Sequence, residues 1–369
     1  MDQQWRNRAA SAETAIATRH LSKLWGLPGT QLGVVAWLPT RKDSTFATWH
    51  YWWQAHLLDT LVDAQVRDPS PSRVEKIKRQ IRGHRMRNNG CWTNSYYDDM
   101  AWLALALERS GRLAGVANPK ALATLSGELV NSWSPEAGGG IPWRKKEQFF
   151  NAPANGPAGI FLARYGNVVR AQQMADWIDT TLIDPETHLV FDGIRDGSLV
   201  RAQYTYCQGV VVGLETELAV RTGDPRHAAR ARRLIAAVAE HMAPAGVLKG
   251  AGGGDGGLFA GITARYLALA ATDLPGDSAE DTAARDAARG IVLASARAAW
   301  DNRADVNGLP LFSAFWDRMA QVPQADGARG GTANGAVFES SSAERDLSVQ
   351  ISGWMLMEAA AKVSTVSAG

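Results

Sequence analysis

Helical segments follow one another along almost the whole of this sequence, and that repetition constrains the fold more than any other feature. Apolar residues recur at helical spacing, and Gly, Pro or Asn separates one segment from the next. The pattern predicts roughly twelve helices and no convincing alternating strand. Ala-rich stretches with few β-branched runs favour the same assignment. The predicted helices cover residues 4–24, 45–66, 72–84, 95–109, 119–132, 155–165, 167–183, 203–221, 225–243, 257–272, 279–301 and 345–362.

The predicted helices alternate in character along the chain. Odd-numbered helices are charged, as in residues 226–242 and 279–300, which suits an outer layer with one face in water. Even-numbered helices are more apolar, as in residues 209–220 and 346–361, which suits an inner layer. The alternation predicts two concentric rings of helices. Helical toroids of this length form one unit, so we expect a single domain over residues 1–369.

Aromatic, amide and acidic residues gather at the starts of the even-numbered helices, as in TFATWHYWWQAH and YTYCQG. In two rings of alternating direction, all of these starts lie at one end. They would converge on a single concave mouth, where a binding site is expected. The sequence also contains 14 Trp residues. Some can pack between helices, and others can offer a flat apolar face to a polar ligand such as a sugar ring.

The fourth predicted helix begins at two adjacent acids, Asp98 and Asp99. Ser95 would cap this helix, and Asp98 would complete a capping box, so a structural role accounts for one acid. The second acid needs another explanation, because two like charges repel each other. Consecutive residues can place their carboxyl groups about 5 Å apart, which is the separation used by retaining glycosidases. One Asp would then be a nucleophile and the other a general acid/base.

Charge and cysteine content exclude several other functions. A net charge of +2, with acids and bases interspersed, gives no broad basic field for nucleic acid. The basic run at residues 73–87 could contact an anionic polymer or a lipid headgroup, but a solvated helix face is the favoured interpretation. Cys91 and Cys207 cannot form a disulfide framework, and no His/Cys cluster has zinc spacing, so we expect no metal and no cofactor. Residues 320–344 include a Gly/Ala/Ser/Asn-rich stretch poor in apolar residues and are predicted to form a mobile loop.

Several ordered motifs resemble glycoside hydrolase family 76, the α-1,6-mannanases, over nearly the whole chain. The hallmark is the acid pair in its context, YYDDMAWLALA at residues 96–106. The further matches are GGGIPW at 138–143, ANGPAGIFLARY at 154–165, FDG at 191–193, YTYCQG at 204–209, GDGGLF at 254–259 and LSVQISGW at 347–354. Two positions depart from the family pattern: Cys207 replaces a usual Asn, and Ala260 replaces a common Lys.

The resemblance implies an all-α (α/α)6 barrel that cleaves α-1,6-linked mannan internally with retention of configuration. It implies that Asp98 is the nucleophile and that Asp99 protonates the leaving oxygen and then activates water. The substrate-binding residues that it implies are Trp92, Asn94, Trp143, Asn155, Asp192, Tyr206 and Gln208. The expected partner is an α-1,6-mannan-type polysaccharide or a glycolipid with a lipomannan-like or lipoarabinomannan-like backbone.

Two other functions fit the same residues. A transglycosylase would resolve the covalent intermediate with a sugar hydroxyl instead of water, and a non-catalytic toroid would use the Trp residues only to bind glycan. The N-terminal residues lack the apolar core of a signal peptide, and no run of about 18 apolar residues could span a membrane. We therefore expect a cytoplasmic monomer without a transmembrane segment, although the implied substrate belongs to the cell envelope.

Overall fold

The structure is a computed structural model, and it describes residues 2–135, 138–324, 331–333 and 335–365. The described residues form thirteen α-helices connected by loops and very short strands. The helices are α1 (Asp2–Arg19), α2 (Arg41–Ser44), α3 (Tyr51–Arg67), α4 (Pro71–Arg87), α5 (Tyr97–Ala114), α6 (Pro119–Asn131), α7 (Ala152–Tyr165), α8 (Val168–Thr181), α9 (Thr205–Thr222), α10 (Pro225–Ala237), α11 (Phe259–Asp273), α12 (Ala279–Asp301) and α13 (Leu347–Ser364).

The strands form small antiparallel sheets of two or three members. They are β1 (Leu21–Ser22), β2 (Leu32–Gly33), β3 (Phe149–Asn151), β4 (Gly193–Arg195), β5 (Ser198–Val200), β6 (Ala304–Val306), β7 (Leu309–Leu311), β8 (Thr332–Ala333) and β9 (Ala336–Val337). In the three-stranded sheet, β4 lies between β3 and β5. Its register places Asn151 opposite Gly193, and Gly193 opposite Val200.

The chain divides into two compact units. The first comprises Met1–Cys91, Val247–Ala264 and Val292–Gly369, and the second comprises Trp92–Gly246 and Arg265–Ile291. Helices that are buried over most of their length, such as α3, α7 and α9, alternate along the chain with helices that keep one face exposed, such as α4, α8 and α10. In the first unit, α13 packs against α1 and α3, and α4 packs against α3. In the second, α7 lies between α5 and α9, while α6, α8 and α10 pack against α5, α7 and α9.

Buried ion pairs cross-link the helices of the first unit. Arg67 of α3 binds Glu13 of α1 at 3.1 Å and Glu358 of α13 at 2.9 Å. Arg73 of α4 binds the same Glu13 at 2.9 Å. A buried charge that loses its partner is strongly unfavourable, so this network fixes the relative positions of the four helices.

Close approach of the inner helices shapes the second unit. A Cβ atom at Gly156 of α7 would lie 2.5 Å from Cγ2 of Val210 on α9. One at Gly159 would lie 2.9 Å from the methyl groups of Leu214. Because these separations are below van der Waals contact, only glycine lets α7 and α9 pack so closely.

The structure differs from the predicted elements at several boundaries. α12 has the predicted limits, whereas α3 begins at Tyr51, six residues later than predicted, since His50 adopts a left-handed φ of +48°. The short helix α2 and all of the strands were missed. Strands of two or three residues are too short to show an alternating pattern.

The predicted mobile loop at 320–344 falls partly outside the described residues, which omit 325–330 and 334. Its described part includes the hairpin β8–β9. The Val337 amide donates to Asp255 at 2.7 Å, and the Ser340 hydroxyl donates to Asp346 at 2.5 Å. The mobility of this loop and the single catalytic domain both stay predictions.

Candidate active site

Extended backbone segments of the second unit pair side by side and lead into the first turn of α5. The Tyr97 amide donates to the Trp143 carbonyl at 2.9 Å, and Tyr96 pairs with Arg144 in an antiparallel bridge. The Trp143 amide then donates to the carbonyl of Phe149 in β3 at 2.6 Å. Since β3 pairs with β4, the segment from 142 to 144 and the residues near 192 belong to one hydrogen-bonded layer.

The carboxylate of Asp98 is held by donors from two sides. The indole Nε1 of Trp143 donates to its Oδ2 at 2.9 Å, and the backbone amide of Asp99 donates to its Oδ1 at 2.8 Å. Both acids lie in the first turn of α5, where the helix dipole stabilises negative charge. Hydrogen bonds to the ionised form favour that form, so the arrangement suits a fixed carboxylate.

Asn94 positions the second acid. Its Nδ2 donates to Oδ2 of Asp99 at 2.5 Å, and its Oδ1 accepts from the Tyr96 amide at 2.9 Å. The bond from Tyr96 fixes which end of the Asn94 amide faces Asp99. Both carboxyl groups and Asn94 are half-buried, so the acids retain access to solvent.

The predicted capping box of Ser95 and Asp98 is wrong. α5 begins at Tyr97, its N-cap residue is Tyr96, and the Tyr96 side chain makes no capping hydrogen bond. The Lys145 amide donates to the Ser95 carbonyl at 2.9 Å, and with the bridge at Tyr96 this keeps residues 95–96 in the extended layer. Asp98 instead accepts from the amide of its immediate neighbour.

Trp143 is wedged between two aromatic rings. Its ring meets Tyr96 edge to face at a centroid distance of 5.1 Å and Phe149 at 6.0 Å. The guanidinium of Arg144 lies over the Tyr96 ring at 5.0 Å. Burial raises the pKa of the Tyr96 hydroxyl, the charge of Arg144 acts in the opposite direction, and the Asp99 and Asp98 carboxylates add to the rise.

Tyr96 and Arg144 therefore belong to the electrostatic environment of the acid pair, and neither was among the predicted site residues. The available signal for Tyr96 was its position beside the acids in the YYDD motif. Arg144 directly follows Trp143 in sequence, but its bridge to Tyr96 depends on strand pairing that the sequence pattern does not reveal.

Asn155 and Gln208 are buried, and their amides bind the main chain. Asn155 Oδ1 accepts from the Ile141 amide at 2.8 Å, and its Nδ2 donates to the Ile141 and Asn151 carbonyls, each at 2.9 Å. Gln208 accepts from the Val190 amide at 2.7 Å and donates to the Val190 carbonyl at 2.9 Å. These side chains brace the segments around residues 141 and 190.

Asp192 lies immediately before β4 and is only 9% exposed. Burial raises the pKa of its carboxyl group to about 6, against the opposing charge of Arg195. The nearby Asp192 charge contributes, after burial, to the raised pKa values of the Tyr204 hydroxyl and of the fully buried Cys207 thiol. A buried acid with a raised pKa is a frequent mark of a functional site.

The remaining predicted site residues fall into the same unit. Tyr206, in the first turn of α9, is half-buried, with its ring centroid 6.2 Å from that of Tyr204. Trp92 is also half-buried and begins the segment that carries Asn94; it directly follows the exposed Cys91. The structure therefore groups Asn94 and Trp143 around the acid pair, and Asp192 with the start of α9.

Among the described residues, no group of three or more His, Cys, Asp or Glu side chains is arranged to hold a metal ion. No helix in the described ranges has both the length and the apolar character needed to cross a bilayer.

The sequence profile of glycosyl hydrolase family 76 matches residues 8–337. No curated protein matches the chain in sequence. Among solved structures, the GH76A α-1,6-mannanase from Salegentibacter sp. HEL1_6 is 28% identical with a TM-score of 0.81, and the match covers 97% of this chain and 99% of that one. An inactive variant of that enzyme, with two consecutive aspartates changed to asparagine, has been solved in complex with α-1,6-mannotriose.

The Lin0763 protein from Listeria innocua is also similar, with 25% identity, a TM-score of 0.79 and coverage of 98% of both chains. Solved family 76 structures below that identity, such as one from Bacteroides thetaiotaomicron at 13%, share the fold with a TM-score of 0.72. These likenesses confirm the predicted fold class, an all-α (α/α)6 barrel.

Proposed function

The chain belongs to glycosyl hydrolase family 76, the α-1,6-mannanase family, and from that premise we propose that it hydrolyses α-1,6-mannosidic bonds within a mannan backbone with retention of configuration. The observation that carries the proposal is the arrangement of Asp98 and Asp99 in the first turn of α5, each with its own orienting donor.

Asp98 is the proposed nucleophile. Donors from Trp143 and from the Asp99 amide hold both of its oxygens and favour the ionised state that attack on an anomeric carbon requires. Because these donors also fix the rotamer, the side chain needs little reorganisation before it forms the glycosyl-enzyme bond.

Asp99 is the proposed acid/base. In the first step it gives a proton to the leaving oxygen, and in the second it takes a proton from water. Adjacent like charges favour protonation of one partner, and the donors to both oxygens of Asp98 favour its ionised form. The neutral amide of Asn94 can orient Asp99 in either protonation state through rotation of the carboxyl proton to the other oxygen.

Asp192 and Tyr206 are proposed to bind sugar hydroxyls near the start of α9, and Trp92 and Trp143 to offer apolar faces to sugar rings. The half-buried Tyr206 and the incompletely buried Asp192 support this role. We assign Asn155 and Gln208 a positioning role instead, since their amides already bind the main chain.

The substrate proposal rests on the related enzyme. Its inactive variant binds α-1,6-mannotriose after loss of two consecutive aspartates, and Asp98 and Asp99 are the only consecutive aspartates in this sequence. We therefore propose linear α-1,6-mannan, or the same backbone in a lipomannan-like glycolipid of the cell envelope, as the substrate.

The test combines a polymer with an activated glycoside. Wild-type protein should release new reducing ends from linear α-1,6-mannan, and NMR should show the α-anomer formed first. Asp98→Ala should be inactive on both substrates. Asp99→Ala should lose activity on mannan but form the glycosyl-enzyme from an aryl α-1,6-mannobioside, whose leaving group needs no acid, and added azide should then accelerate turnover.

Initial formation of the β-anomer would contradict retention. Full activity on mannan in either alanine variant would contradict the assigned roles. A wild-type protein that binds α-1,6-mannotriose without cleaving mannan would instead favour a non-catalytic binding toroid, and products longer than the substrate would favour transglycosylation.

A further inference from the structure

An apolar turn projects from the first unit between β1 and β2. The side chains of Trp25 and Leu27 are 54% and 37% exposed. Trp25 also has a left-handed φ of +51°, which is unfavourable for a bulky side chain. Strained conformations persist only where surrounding structure enforces them, and they concentrate at functional sites.

The surrounding structure holds the exposed indole in place. Its Nε1 donates to the Thr45 carbonyl at 2.9 Å. The preceding residue, Leu24, is fully buried in a small core with Leu32 and Phe46. Trp25 is therefore a fixed surface side chain.

Cations from three segments surround this turn. Arg41 and Lys42 lie on α2, whose C-cap residue is Thr45, the acceptor of the Trp25 bond. Arg82 of α4 reaches the turn, since a Cβ at Gly29 would lie 3.1 Å from its Nη1 atom. Lys23 precedes the turn by two residues, and all four cations are exposed.

The neighbouring acids compensate this charge only in part. Asp43 is buried and caps α2 through Thr40, and Glu75, the only acid of α4, pairs with Lys78 at 2.7 Å. Throughout the described ranges, Lys23, Arg41, Lys42 and Arg82 form no ion pair with an acid. The surface thus combines a local positive field with exposed apolar side chains in a chain of net charge only +2.

We propose that this surface docks the protein on a bilayer that contains anionic lipids. The docking patch is defined by Lys23, Trp25, Leu27, Arg41, Lys42 and Arg82. Its Trp inserts at the headgroup level, as Trp does at membrane interfaces, and its cations meet the negative lipid surface. The partner follows from charge complementarity together with the apolar turn. A soluble polyanion would use the cations but would gain nothing from Leu27 in water.

The docking patch is tested by sedimentation with vesicles of phosphatidylcholine, with and without phosphatidylglycerol. Wild-type protein should bind only the vesicles with phosphatidylglycerol, and added salt should weaken the binding. Lys23→Glu/Arg82→Glu should reduce partitioning by at least about tenfold, since each cation near such a surface contributes several-fold. Trp25→Ala/Leu27→Ser should reduce it by a similar factor through loss of the apolar contact.

Leu113→Ser/Lys120→Glu is the matched control, because Leu113 is 40% exposed and Lys120 is exposed in the second unit. It should bind like wild type, and circular dichroism should show that all variants are folded. Failure of the wild type to bind the anionic vesicles, or equal loss in the control, would overturn the proposal. The proposal would also be overturned if the protein bound soluble heparin but not vesicles, and if Trp25→Ala/Leu27→Ser bound heparin as well as wild type did.

Discussion

The indole N–H of Trp143 donates to Asp98 across 45 residues of chain, at 2.9 Å. The proposed nucleophile stands on α5, but a loop sets its orientation. That loop begins with Gly139 and Gly140, whose φ values of +111° and +87° suit glycine, and both pack against the Trp177 ring. Loop conformation and carboxylate geometry are therefore linked.

Trp143→Phe should lower kcat/KM on mannan by about tenfold to a hundredfold. The substitution retains ring contacts with Tyr96 and Phe149 but removes a hydrogen bond to a charged group, which contributes roughly 1.5–3 kcal/mol. Steady-state kinetics measures the effect. Trp300→Phe, in the first unit, is the matched control, and its kcat/KM should stay close to that of wild type. An unchanged kcat/KM in Trp143→Phe would contradict an orienting role for the Trp143 indole.

Asn94→Ala should impair the steps that need Asp99 as an acid or base. We expect kcat on mannan to fall by roughly tenfold, since Asp99 loses one fixed donor. The rate of glycosyl-enzyme formation from an aryl glycoside should fall much less, because its leaving group needs no proton. Equal losses on the two substrates would show that Asn94 acts through binding or folding.

The pKa of Asp192, about 6, gives a pH dependence with a defined sign. The carboxylate is present above this pKa and protonated below it, so wild-type KM should rise as pH falls through about 6 if the charged form accepts hydrogen bonds from sugar hydroxyls. Asp192→Asn should have a raised KM that lacks this pH dependence. Measurement of KM at several pH values tests it, and identical profiles for the two proteins would exclude Asp192 from binding.

The pH dependence of the free energy of unfolding should reveal the raised pKa of Asp192 without any substrate. The pKa of Asp192 in the folded state lies above its ordinary value of 3.8, so the folded state holds the proton more tightly. Wild-type stability should therefore decline relative to Asp192→Asn as pH rises from about 4 to about 6. Urea unfolding at each pH measures the difference, and a difference that grows in the opposite direction would contradict the raised pKa.

Replacement by alanine should change protein stability in opposite directions at two helical glycines. Gly156→Ala places a Cβ against Val210 and should destabilise the protein by about 1–3 kcal/mol. Gly127→Ala on α6 meets no atom within 4 Å and should stabilise it by roughly 0.5–1 kcal/mol. Thermal unfolding compares the two, and equal shifts would mean that α7 and α9 can separate without loss.

The sequence predicted α12 best, and it did so from helical periodicity and charge alone. α12 has its predicted limits. At its start, the Ser278 hydroxyl donates to the Asp281 carboxylate and accepts from the Asp281 amide. α3 was started too early because its first predicted residues belong to a loop that ends at the left-handed His50. Local patterns do not encode such loops, since tertiary contacts determine them.

The acid pair could be recognised from the sequence, but the orienting role of the residues around it could not. Asn94 and Trp143 were among the predicted residues, although as sugar contacts. Their bonds to Asp99 and Asp98 depend on the extended layer, whose bridge between Tyr96 and Arg144 joins segments far apart in sequence. Because the same layer holds Ser95 in extended backbone, Ser95 is not the N-cap of α5.

The contrast between the two cysteines gives the native chain a single reporter position. Cys207 is fully buried and its thiol pKa is raised well above the ordinary value, whereas Cys91 is exposed. A maleimide fluorophore should therefore label Cys91 alone, without any engineered cysteine. The dye would sit directly before Trp92, an indole able to quench it, so a change in its emission on addition of α-1,6-mannotriose would test the proposed contact between Trp92 and glycan.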